Sequence, residues 1–158
     1  MRICLPMLLL PAIVCALPSC VHSQAPFAEE SPIKTDLREA VFRYMFKNYN
    51  YGPSVKVLCI KTEKPLPEAF VKRFSDNQPP VVWASECTVD ALPGAKEKKT
   101  GKRAIVMSIE SIVWNKGDEA EVNVEAYSDG LAANWNRLTV VYKGGIWVVK
   151  KDHPTGVS

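Results

Sequence analysis

Histidine is nearly absent from this chain of 158 residues: His22 and His153 are the two it has. Zinc chemistry needs at least three convergent ligands, and nucleophilic hydrolysis needs an activated Ser, Cys or Thr beside a base. Neither set can be assembled from one or two histidines and scattered carboxylates. No GxSxG, HExxH, CxxC or P-loop pattern occurs either. The SxxK spacing of Ser31 and Lys34 lies in a proline-rich stretch rather than at the start of a buried helix. The expectation is therefore no catalytic residue, no metal and no cofactor. An excess of one charge is also missing: 20 Lys+Arg against 17 Asp+Glu leave +3, too little on 17.6 kDa to indicate a nucleic-acid partner. After residue 23 no apolar run is long enough to cross a bilayer. There is no internal repeat and no low-complexity tract. What is present is 47% hydrophobic residues, four Trp and a moderate charged fraction, which together describe one folded domain.

The first 23 residues, MRICLPMLLLPAIVCALPSCVHS, read as a secretory signal peptide. Arg2 supplies the positive start, and Ile3 to Leu17 form an apolar core of 15 residues interrupted by Pro6 and Pro11. Two processing routes are open. Val21 and Ser23 form a small-residue cleavage site that would release a chain starting at Gln24. Leu17-Pro18-Ser19-Cys20 also resembles a bacterial lipobox, in which Cys20 would carry the lipid and anchor the protein to a membrane. Either way the domain is exported, to the periplasm or the outside. With the signal removed, Cys59 and Cys87 remain in an oxidising compartment as the simplest pattern for one disulfide, two buried free thiols being the alternative.

Residues 24–34 read as a flexible lead-in, and the folded domain is expected over 35–153 with 154–158 as a tail. A helix is predicted from Asp36, with Glu39 in capping-box spacing and a wide aromatic face, ending at Gly52-Pro53. Ser54–Thr62 is a strand apolar on both faces, hence internal to a sheet. Pro67 opens a short helix with Phe70, Val71 and Phe74 inward, and Val81-Val82-Trp83 is a brief extended piece leading to Cys87. The basic stretch from Pro93 to Arg103 reads as a solvated connection. An antiparallel meander follows: Ala104–Trp114, then Glu119–Tyr127 with Ala120, Val122, Val124 and Ala126 inward, then Trp135–Tyr142 and Ile146–Lys150, the last two joined by a Gly144-Gly145 hairpin. Glu119, Glu121 and Glu125 share the wet face of their strand.

This order of elements makes an α+β domain. Together with the ending Tyr142-Lys-Gly-Gly-Ile-Trp-Val-Val-Lys-Lys-Asp152, it resembles the NTF2-like (cystatin-like α+β) group, closest to small exported bacterial proteins of no assigned activity. The helix REAVFRYMF, the Ser85-Glu-Cys87 segment, the turn Lys99-Thr-Gly-Lys-Arg103 and the Trp147 strand carry the likeness. The resemblance implies one or two N-terminal helices packed on a curved antiparallel sheet. Two functions fit. The first is a non-enzymatic domain binding a small apolar ligand or a protein partner on the sheet's concave face, edged by Trp114, Tyr127 and Trp135. The second is a hydrolase or isomerase with a carboxylate-based pocket. That enzyme would need an Asp–His or Asp–Tyr pair, and none can be assembled from the sequence.

Overall fold

The computed structural model describes residues 32–90, 94–129 and 132–157; the signal and lipobox readings, Cys20 included, lie outside them. Helix α1 spans Pro32–Asn48 and is followed by strand β1, Val57–Lys61. A 3₁₀ helix, Glu68–Phe74, leads to β2, Val81–Trp83, and a 3₁₀ turn, Ala84–Glu86, to β3, Cys87–Thr88. Then come β4 (Lys96–Glu97) and four long strands: β5 (Ala104–Lys116), β6 (Glu119–Asp129), β7 (Ala132–Lys143) and β8 (Ile146–Val157). Six strands form one sheet in the order β2-β1-β5-β6-β7-β8, and β3 pairs with β4 in a separate hairpin. The architecture is α+β.

The sheet is mixed rather than antiparallel throughout. β1 runs parallel to both β2 and β5, while β5 to β8 alternate as the meander expects. A parallel pair cannot be closed by a tight turn, and the long excursion from β1 to β5 supplies the crossover. The internal position expected for β1 is observed, with Leu58 and Ile60 buried on one face and Val57 and Cys59 on the other.

Several boundaries differ from the sequence reading: α1 ends at Asn48, β1 is shorter than Ser54–Thr62, and β7 starts at Ala132 rather than Trp135. α1 begins at Pro32, four residues before Asp36, because proline is tolerated in a helix's first turn where its missing N–H has no partner to lose. Asp36 then sits inside the helix, and its carboxylate accepts from Arg73 at 2.7 Å instead of capping. β8 runs through Pro154 to Val157, so the expected tail is strand. Proline is accommodated there because β8 is the sheet's edge, and register shifts near Pro154 and Lys150 bend it. Finally, the basic stretch after Pro93 holds the short strand β4 and an isolated bridge from Lys96 to Arg103.

α1 and one face of the sheet share a single core. Leu37, Val41, Phe42 and Met45 are fully buried with Met107, Ile109, Val122 and Leu138. Phe42, Phe70 and Phe74 meet edge-on or tilted at centroid distances of 5.4–6.4 Å, which seats the first 3₁₀ helix on α1. Arg43 and Arg73 lace the same contact to Asp76, Asp36 and Glu39. The other face has a smaller core where Cys87 and Ala95 cover Val57, Cys59, Ala104 and Val106.

Candidate functional site

The Cys59–Cys87 disulfide is present, with Cα atoms 6.5 Å apart. Cys59 lies in β1 and Cys87 opens β3, so the bond fastens the segment after β2 to the strand beside it. These two segments form opposite walls of a cleft. Its volume is about 400 Å³, and it is lined by Ile60 to Leu66 on one side and Trp83 to Ser85 on the other. The cleft stands at the carboxyl ends of the parallel strands β1 and β2, where open sheets with parallel strands leave a crevice. Ile60, Leu66 and the Trp83 ring give it apolar walls, and Lys61, Glu63, Lys64 and Glu68 give it a charged rim. Trp83 stacks against Phe70 at 6.0 Å, and its indole N–H is buried without a partner among the described residues. An unpaired buried donor costs about 1–3 kcal/mol, so this ring is held by packing alone.

Behind the rim, Arg38 is only 2% exposed and donates to both carboxylate oxygens of Glu63 and to the Lys34 carbonyl. A guanidinium this deep needs such a partner, because an isolated buried charge is very costly. The pair ties α1 to the loop that forms one wall of the cleft.

The three aromatic residues expected to edge a common groove do not share a face. Trp114 packs on the α1 side, 5.7 Å from Trp147, with the Lys34 ammonium 5.5 Å from its ring centroid. Tyr127 pairs with Val106 and Trp135 with Glu125, on the opposite face of the sheet. The Tyr127 hydroxyl donates to the Asp90 carbonyl, and the Trp135 ring covers Gly156, where a Cβ would come within 3.2 Å of its edge.

The acidic residues are also distributed. Glu121 and Glu125 lie on the face away from α1, and Glu119 accepts from the Asn115 amide at 3.3 Å. Burial, and then the Glu110 carboxylate, push the Glu125 carboxyl above the usual range, opposed by Lys61 and Trp135. Lys61 stands 3.7 Å from Glu110. No group of three or more metal-ligating side chains occurs among the described residues.

An Asp–Tyr pair does exist, unforeseen because its members lie at opposite ends of the chain. The Tyr44 hydroxyl on α1 donates to Asp152 Oδ2 on β8 at 3.1 Å, and the Asn136 amide on β7 donates to Oδ1. Tyr49 packs edge-on against Tyr44 at 6.4 Å. Burial, and then Asp152, raise the Tyr44 hydroxyl above the ordinary phenol range; Tyr49 is raised further, chiefly by burial. Both carboxylate oxygens of Asp152 are thus engaged within the fold, where they pin α1 to the last two strands. The chain matches no family model, no curated protein and no solved structure.

Proposed function

We propose that this is an exported, non-enzymatic binding domain that takes a small, largely apolar ligand in the cleft between the Thr62–Leu66 turn and Trp83–Ser85. The observation that carries this reading is the cleft itself: about 400 Å³, apolar inside and charged at the rim, with both walls fastened by one disulfide. That size and lining are usual for small-molecule sites. The location differs from the concave sheet face that the sequence suggested, since Trp114 is turned away from Tyr127 and Trp135. A Cys59–Cys87 bond suits an oxidising compartment, in keeping with export.

The test is titration with 1-anilinonaphthalene-8-sulfonate, an apolar probe with one anionic group. Saturable binding is expected, and Ser85→Trp, which fills the cleft from an exposed position, should weaken it at least about tenfold. Equal affinity in that variant would remove the cleft from consideration. The enzymatic alternative draws support from the Tyr44–Asp152 pair. Turnover of an ester, glycoside or peptide that is lost in Asp152→Asn would establish it.

A further inference from the structure

The two walls of the cleft are fastened to opposite faces of the sheet. Arg38 belongs to α1, which covers one face, and it holds the Thr62–Leu66 turn by donating to both carboxylate oxygens of Glu63. Cys59 points to the other face, where its bond to Cys87 holds the segment that continues from Trp83–Ser85. Both ties start inside the protein: Arg38 is 2% exposed, Cys59 0% and Cys87 5%. The Trp83–Ser85 wall has a further hold from the Lys98 ammonium, which donates to the Ser85 carbonyl at 2.7 Å.

Apolar walls that face each other across water close unless something keeps them apart, because closing removes apolar surface from water. Here Pro65 and Leu66 stand across from Trp83 and Ala84, yet about 400 Å³ stays open between them. The chemistry of the two ties accounts for that. A disulfide is covalent, and a guanidinium buried as deeply as Arg38 cannot give up its carboxylate without leaving a costly unpaired charge. For the Thr62–Leu66 turn to swing across toward Trp83, Glu63 would have to leave Arg38. The turn's own bond, from the Thr62 hydroxyl to the Lys64 carbonyl at 2.6 Å, shapes it without fixing where it stands.

We infer, on the reading that the cleft is the binding site, that Arg38 and Glu63 are positioning residues that hold it open. The ligand then meets a site already formed and does not have to part the walls. A site that is open only part of the time binds more weakly by that fraction. The experiment uses the full chain and Glu63→Gln, which keeps the side chain's shape and an oxygen for Arg38 but removes the charge. Titration with 1-anilinonaphthalene-8-sulfonate then separates two roles by sign. Glu63 lines the cleft, so losing its negative charge would favour the anionic probe through direct contact, whereas loosening the wall disfavours it. Binding at least about fivefold weaker is expected, with faster hydrogen exchange over residues 62–66 and unchanged exchange in β6 and β7. Glu63→Asp keeps the charge and should stay within about twofold of the wild type. Equal or tighter binding in Glu63→Gln overturns the inference. So does weaker binding without faster exchange at 62–66, exchange that quickens throughout the sheet, or a loss in Glu63→Asp as large as in Glu63→Gln. Ser85→Trp keeps the two claims apart. Unchanged affinity there removes the cleft itself, whereas weaker binding there beside unchanged binding in Glu63→Gln removes only the positioning role.

Discussion

The β5–β8 meander and the parallel β2-β1-β5 corner are made of similar apolar strand residues, yet they are held together by different means. In the meander each strand finds the next across a short turn, and the Gly144-Gly145 hairpin, with both glycines at positive φ, sets the β7–β8 register directly. The corner brings Val57 opposite Ala104 and Leu58 opposite Val81, across much longer stretches of chain. Closing such loops costs entropy before any contact rewards it. There the protein places its disulfide, its buried Arg38 paired with rim Glu63, and its phenylalanine cluster. Local pairing needs turn chemistry, and non-local pairing needs ties.

The largest effect should come from cutting the strongest of these ties. Cys59→Ala together with Cys87→Ala is expected to lower stability by about 3 kcal/mol, read from urea unfolding of the disulfide-bonded protein. Hydrogen exchange should quicken in β1, β2 and β3 and stay slow in β6 and β7. Equal loosening of the meander would show that the disulfide supports the whole sheet and would dissolve the contrast.

A smaller effect tests how the meander is attached to α1. Tyr44→Phe removes one donor to Asp152 and should cost about 1.5 kcal/mol, the lower part of the range for hydrogen bonds to a charged group. Thermal unfolding would measure it. A change indistinguishable from zero would mean that apolar contact alone holds the helix there.

The smallest effect lies within the meander, at Glu125. Its carboxyl is raised in the folded protein, so the folded state binds that proton more tightly than the unfolded chain does. The associated stability is therefore present below the ordinary glutamate range and is lost as pH rises through the folded value. Glu125→Gln removes this dependence. Relative to the variant, the wild type should weaken between pH 4 and pH 7 by only about 0.3 kcal/mol, because solvent screens a partly exposed group. Melting temperatures of the two proteins across that interval give the slope, and the opposite sign would mean that Lys61 outweighs burial and Glu110.

Much of the candidate chemistry was within reach of strand parity. Tyr127 is out of phase with inward Ala126, and Trp135 is out of phase with inward Leu138, which already sends both rings to the face away from α1. Trp114 was harder to place. The register shift at Glu110 moves the phase of β5 so that Ile109, Ile112 and Trp114 all face the helix, and nothing in the run of residues announces that bulge. Arg38 is polar by type, and its burial becomes intelligible only once Glu63 and the Lys34 carbonyl are seen to meet it. Tyr44 and Asp152 carry no shared motif and meet because α1 lies across β8.

The sequence by itself determined the α+β class, the inner and outer residues of β6, the hairpin at Gly144-Gly145 and the cysteine pair. Each rests on a local period, on turn stereochemistry or on Cys59 and Cys87 being the two cysteines of the folded domain. Tertiary structure alone decided that β1 runs parallel to its neighbours, that a cleft opens between the Thr62–Leu66 turn and Trp83, and that Asp152 receives Tyr44. Those outcomes depend on which distant segments repay the entropy of meeting, and that balance is struck by the whole core rather than by any stretch of chain.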